Sequence, residues 1–183
     1  MEKETIGNIL TFLKEKEGKE IPQNWNLIEK LETHPDDIQY IHKGSLMLKN
    51  SDIKKLPNKL YVGGSLFLMG CEQLSELPNN LYVDGDFMML SGEKITELPD
   101  RLFVMGFLQL AIDHKILKYP KTLFVKDTLF LTYTNISELP NQIFVGEDLL
   151  IQGTPLADKY TDEQLYEMAK SLEGGQIRGK IIR

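Results

Sequence analysis

What the chain lacks narrows the field first. It has one cysteine, Cys71, among 183 residues. No intramolecular disulfide is possible, and a cysteine-rich zinc module is excluded. Only three histidines occur, His34, His42 and His114, with no metal-ligand spacing. No glycine-rich phosphate loop, nucleophile elbow or HExxH motif is present. No apolar run reaches the ~18 residues that a membrane helix needs. A basic excess is missing too. The chain carries 21 Lys+Arg against 27 Asp+Glu, net −6, which argues against bulk-charge binding of nucleic acid or of anionic membrane. The start, Met1-Glu-Lys-Glu, lacks the basic and apolar regions of a secretory signal. The expectation is a cytoplasmic protein with no nucleic-acid or membrane partner, no cofactor and no metal.

What is present is enough for a core. Hydrophobic residues make up 42% of the chain, which excludes a mainly disordered or collagen-like polypeptide. At ~150 residues per domain, the length points to one domain.

A repeat organises the chain. Prolines fall at 57, 78, 99, 120 and 140, spaced 21, 21, 21 and 20 residues apart. The text around them reads LPNKLYVGG, LPNNLYVDG, LPDRLFVMG, YPKTLFVKD and LPNQIFVGE. A short alternating stretch follows each one: SLFLMG, DFMMLSG, FLQLAID, TLFLTYT and DLLIQGT. Such a period marks a solenoid, whose coils cannot bury their apolar faces alone. Leu60, Val62, Leu66 and Leu68 alternate as strands with one buried face do. Gly63-Gly64 between them predicts a bend or bulge. The same columns recur down to Ile143, Val145, Leu149 and Ile151. Each coil then turns through a small or polar residue (Ser51, Cys71, Gly92, Asp113, Thr134, Thr154) towards a Leu-Pro or Tyr-Pro corner. Proline has a fixed φ and no N–H, so it suits a corner rather than a central strand.

The pattern L-x-L-x-x-(T/N/C)-x-(I/L)-x-x-L-P resembles a leucine-rich repeat, in the short Leu-Pro form of bacterial and phage proteins, over residues 40–158. The resemblance implies a binding surface and no reaction. Two features depart from it. The column for an asparagine ladder holds Cys71, Gly92, Asp113 and Thr134, and the first strand is extended by L-(Y/F)-V. A curved horseshoe and a tighter two-strand coil both remain open.

The expected architecture is a mainly β repeat solenoid of about six coils, residues 40–158, with α-helical caps at both ends of a single domain spanning 1–183. Over 1–39, Ile6, Ile9, Leu10 and Leu13 share a helical face, and Trp25, Ile28 and Leu31 offer packing groups. Over 159–183, Thr161 and Gln164 form a capping-box pattern. An apolar stripe of Leu165, Met168, Ala169 and Leu172 follows. Gly174-Gly175 stops the helix, and QIRGKIIR supplies a last strand.

Catalytic chemistry has few candidates. Cys71, the only thiol, occupies the small-residue column and reads as a buried turn residue. Asp84 and Asp86 pair at a bend, but the equivalent positions hold Gly63 and Ser65, then Met105 and Phe107, which breaks any ladder of calcium ligands. The outward columns say more. Tyr61, Tyr82, Phe103, Phe124 and Phe144 share one register and form an aromatic ladder. A second column reads Met47, Phe67, Met88, Gln109, Phe130 and Leu150, and its neighbour includes Met69 and Leu90. Apolar stripes of this size on monomers usually serve binding or assembly, unless they are core. The functional expectation is a non-enzymatic scaffold binding a protein partner or a second copy through the Met/Phe column. An effector or inhibitor docking on a host protein is one alternative. A glycan-binding module using the aromatic ladder as its surface is the other.

Overall fold

A computed structural model describes residues 40–42, 44–56, 58–90, 94–110, 116–172 and 175–183. The helical cap expected over 1–39 lies outside these residues, as do Pro57, Gly92, Asp113, His114 and Gly174.

Each repeat forms two short strands joined by a bend, and successive repeats stack in parallel. The first sheet has the order β1 (Tyr40–His42), β3 (Leu60–Val62), β5 (Asn80–Val83), β7 (Arg101–Val104), β9 (Thr122–Val125), β11 (Gln142–Val145) and β13 (Gln176–Ile177). The second runs β2 (Leu46–Lys49), β4 (Leu66–Met69), β6 (Phe87–Met89), β8 (Leu108–Leu110), β10 (Leu129–Phe130), β12 (Leu149–Leu150) and β14 (Ile181–Ile182). The chain is a parallel β-solenoid with two-strand coils of about 21 residues. Five coils lie between the first strand pair (β1 and β2) and the last (β13 and β14), in keeping with the expectation of about six.

Register follows the repeat. Leu60 pairs with Leu81, Leu81 with Leu102, Leu102 with Leu123, and Leu123 with Ile143. Stacking like residues on like residues lets one side-chain shape be reused in every coil. The core lies between the sheets and is built from these leucines, the valines two residues on, and Leu66, Phe87, Leu108, Leu129 and Leu149 of the second sheet. The corner anchors Leu74, Ile95, Ile116 and Ile136 close the third side. Pro78, Pro99, Pro120 and Pro140 are buried at the corners, where no ladder N–H is required of them.

The column that departs from an asparagine ladder does comparable work with other groups. The hydroxyls of Thr134 and Thr154 donate to Leu131 O and Ile151 O at 2.7 Å, and the Cys71 thiol to Leu48 O at 3.4 Å. All three residues are buried. The turn carbonyls are thus satisfied by side chains the repeat can vary.

The C-terminal cap is a short helix, α1 (Pro155–Lys159), followed by α2 (Asp162–Ser171). The capping box forms as expected: Gln164 N donates to the Thr161 hydroxyl, and Thr161 N donates to Gln164 Oε1 at 2.8 Å. Leu165 and Ala169 face the core from α2. The tail supplies two strands rather than one, since β13 extends the first sheet and β14 the second.

Candidate functional site

The two outward columns meet different fates. On the first sheet, Tyr61, Tyr82, Phe103 and Phe124 point away from the core and are nevertheless only 0–3% exposed. Phe144 is half-buried, with the Arg178 guanidinium 4.9 Å over its ring. The rings stack along the solenoid. Tyr82 and Phe103 lie 5.0 Å apart with nearly parallel planes, Phe103 and Phe124 lie 6.2 Å apart, and Phe124 and Phe144 lie 4.6 Å apart. The Tyr61 hydroxyl donates to Asp84 Oδ2 at 2.8 Å. A carbohydrate platform needs open ring faces, and these are covered by neighbours. The second candidate surface is therefore corrected: four of its five rings are interior.

The second sheet is different. Its strands alternate buried and half-exposed residues, so Leu66 and Leu68 are inside while Phe67 and Met69 reach the surface. Met88, Gln109, Phe130 and Leu150 are half-exposed in the same register. Met47 is 63% exposed and Leu90 41%. Ile182, which pairs with Leu150, adds a seventh position that the sequence had not suggested, and it is 41% exposed. Its signal was present in the tail KIIR, where two isoleucines repeat the Leu149-Leu150 pair. Phe107, just before β8, packs edge-on against Phe130 with centroids 5.8 Å apart, and so widens the patch. Helix α2 packs on β11 and β13 of the other sheet.

A row of polar groups borders this face. The Ser45 hydroxyl accepts from Ser65 N, the Ser65 hydroxyl from Asp86 N, and Asp86 Oδ1 from Phe107 N, at 3.0–3.1 Å. Asp148 Oδ1 accepts from Lys180 N at 2.7 Å. These side chains hold one coil to the next. Asp86 is committed to that backbone contact and Asp84 to the Tyr61 hydroxyl. Among the described residues no group of three or more His, Cys, Asp or Glu side chains has metal-holding geometry.

Ion pairs link the corners of successive coils. Lys55 pairs with Glu76 at 3.0 Å, and Lys118 and Lys121 both reach Asp100, at 3.1 and 3.2 Å. Those cations hold the Asp100 carboxyl below its ordinary range. Lys159 sits beside Glu138 and Tyr160 and is pushed up to about 12, while Glu138 is pulled down. Open grooves run between these corners. One of about 470 Å³ is lined by Glu76, Asn79, Glu97, Asp100 and Lys118. Its charges are mutually neutralised, and it offers no paired acid and base.

Among the described residues no helix is long and apolar enough to cross a membrane. No family model, curated protein or solved structure matches this chain.

Proposed function

We propose that the chain is a non-enzymatic repeat scaffold that binds a protein through the outward face of its second sheet. One observation carries the reading: Met47, Phe67, Met88, Phe130, Leu150 and Ile182 stand in one register on a seven-stranded sheet and remain half-exposed or exposed. Aromatic and methionine side chains are enriched in protein interfaces, where they supply contact area and adapt to a partner's shape. Contiguous apolar patches on a monomer exceed a few hundred Å² chiefly where they serve recognition. The apolar make-up of the column, with Gln109 as its one polar member, favours a protein surface over a sugar, which would require hydrogen-bond partners around each ring.

The Leu-Pro repeat resembles those of bacterial and phage proteins. On that analogy the partner belongs to a host system and the chain acts as an effector or inhibitor; fold alone is a weak guide to such a role.

The test is a set of charged variants, Phe67→Glu, Met88→Glu and Phe130→Glu. The expected result is an unchanged circular dichroism spectrum and melting temperature, with lower binding of an environment-sensitive apolar dye. Unfolding of these variants would mean that the column is core, and the proposal would be abandoned.

A further inference from the structure

We infer that the partner of this face is a second copy of the chain, turned over about a two-fold axis that runs parallel to the strands and passes over Gln109. The inference rests on the reading of the second sheet as a protein-binding surface and names its occupant. Three observations carry it: the symmetry of the column, the placement of the flanking charges, and the area.

In the second sheet β8 is central, with three strands on each side. Its outward residue, Gln109, is the one amide in a column that is otherwise apolar. Rotation about an axis parallel to the strands reverses the strand order and lays the sheet on itself. Met88 then meets Phe130 of the other copy, Phe67 meets Leu150, Met47 meets Ile182, and Gln109 meets Gln109. Within this column every apolar position faces an apolar position, while in the neighbouring row Met69 meets Gln152 and Leu90 meets Thr132. The two amides at the axis each offer a donor and an acceptor, so each satisfies the other. A purely apolar occupant would bury Gln109 unpaired, which costs the full desolvation of the amide.

The bordering row agrees. The same rotation sets Asp86 against Thr128, Asp148 against Ser65 and Lys180 against Ser45, while Phe107 meets itself. No like charges are brought together. A two-fold axis along the stacking direction would instead lay each strand on its own reversed copy and put Asp86 on the exposed Leu90. That arrangement buries a carboxylate on leucine, so the first is favoured.

The area suits a reversible dimer. Seven strands at ~4.8 Å span ~34 Å, and three outward rows at ~6.6 Å span ~20 Å, so each copy contributes ~700 Å². The total of ~1,400 Å² lies towards the lower end of specific interfaces.

Site-directed cross-linking tests the axis, because the single native thiol is buried. Gln109→Cys is expected to be joined to its symmetry mate by a short bis-maleimide, since the sheets would lie ~10 Å apart. Met47→Cys is not, because its two copies would lie at opposite ends of the interface. Light scattering over a dilution series is expected to show the dimer dissociation constant raised at least tenfold by either Met88→Lys or Phe130→Glu. The double variant, in which the new charges face each other, is expected to regain association. Cross-linking of Met47→Cys as readily as Gln109→Cys would overturn the axis. A chain that stays monomeric while the thiol of Gln109→Cys reacts freely with a maleimide would overturn the second copy and leave the protein-binding reading standing. A monomer whose residue-109 thiol is protected from the maleimide would overturn both.

Discussion

Each coil passes from the first sheet to the second through a bend whose backbone stacks directly on the bend of the previous coil. The N–H of Gly85 donates to Gly64 O at 3.0 Å, Gly106 to Gly85 at 2.9 Å, Asp127 to Gly106 at 3.3 Å and Glu147 to Asp127 at 3.1 Å. A Cβ on Gly106 would lie 2.1 Å from Asp86 Oδ1 and 2.8 Å from the Gly85 carbonyl carbon, so the glycine leaves room for the Asp86 carboxylate that accepts from Phe107 N. Asp127 occupies this column in the fourth full coil, and its carboxyl is partly buried near Glu147 and Asp86. Burial first, then those two carboxylates, raise its pKa above the ordinary value of 3.8. The folded state therefore holds the proton more tightly than the unfolded chain. The associated stability is complete below the ordinary pKa and is lost as pH rises through the raised one. Asp127→Asn removes the ionisation penalty, and we expect it to raise stability at pH 7 and to change it much less near pH 3. Thermal melts at both values decide the matter. An equal gain at both would show that charge is not the cause.

At the scale of the element, much was legible in the sequence and the misses have physical causes. The strand pairs followed from the Leu-x-Val and Leu-x-Leu alternation, and the capping box of α2 from Thr161 and Gln164. Helix α1 was missed because five residues span little more than one turn, too short for an apolar period to show; its marks are Thr154 at the N-cap and Pro155 in the first turn. The second tail strand was missed because the last repeat keeps the bend, at Gly179, but lacks a Leu-Pro corner to announce it. The two outward columns looked alike in sequence, since alternation shows which residues leave the core and not what lies over them. The structure separates them by exposure, and mutation should do so by energy. Phe103 is 1% exposed with a ring stacked on either side, so Phe103→Ala is expected to cost about 3–5 kcal/mol. Phe67→Ala on the second sheet is expected to cost less than about 1.5 kcal/mol, because one side of its ring already meets water. Urea denaturation of the two variants measures this. Similar losses would mean that both faces are interior.

Over the whole molecule, each coil touches only the coils before and after it, so stability is expected to be shared among neighbours rather than set by one central core. Corner ion pairs join successive coils, but each is exposed and worth at most about 1 kcal/mol, so they do not make the ends rigid. The C-terminal end is held by a different device. The Arg183 guanidinium donates to Ala157 O and Tyr160 O, carbonyls left open in α1, and its Nε lies 2.5 Å from Asp162 Oδ1. One side chain thus ties β14, α1 and α2 together. In turn β14 supplies the carbonyls of Lys180 and Ile182 to the amides of Leu149 and Ile151. Arg183→Ala is expected to speed hydrogen exchange at Leu149 and Ile151 by about tenfold, equivalent to about 1.4 kcal/mol of local opening. Amides two and three strands further in, Leu108 donating to Thr128 O and Phe87 donating to Phe107 O, should keep their rates. That contrast is the signature of nearest-neighbour coupling, since loosening an end changes the free energy of its own coil and leaves the interior coils with both neighbours in place. Equal acceleration at all four amides would instead show that the coils open as one cooperative unit, with the terminal clasp holding the entire stack.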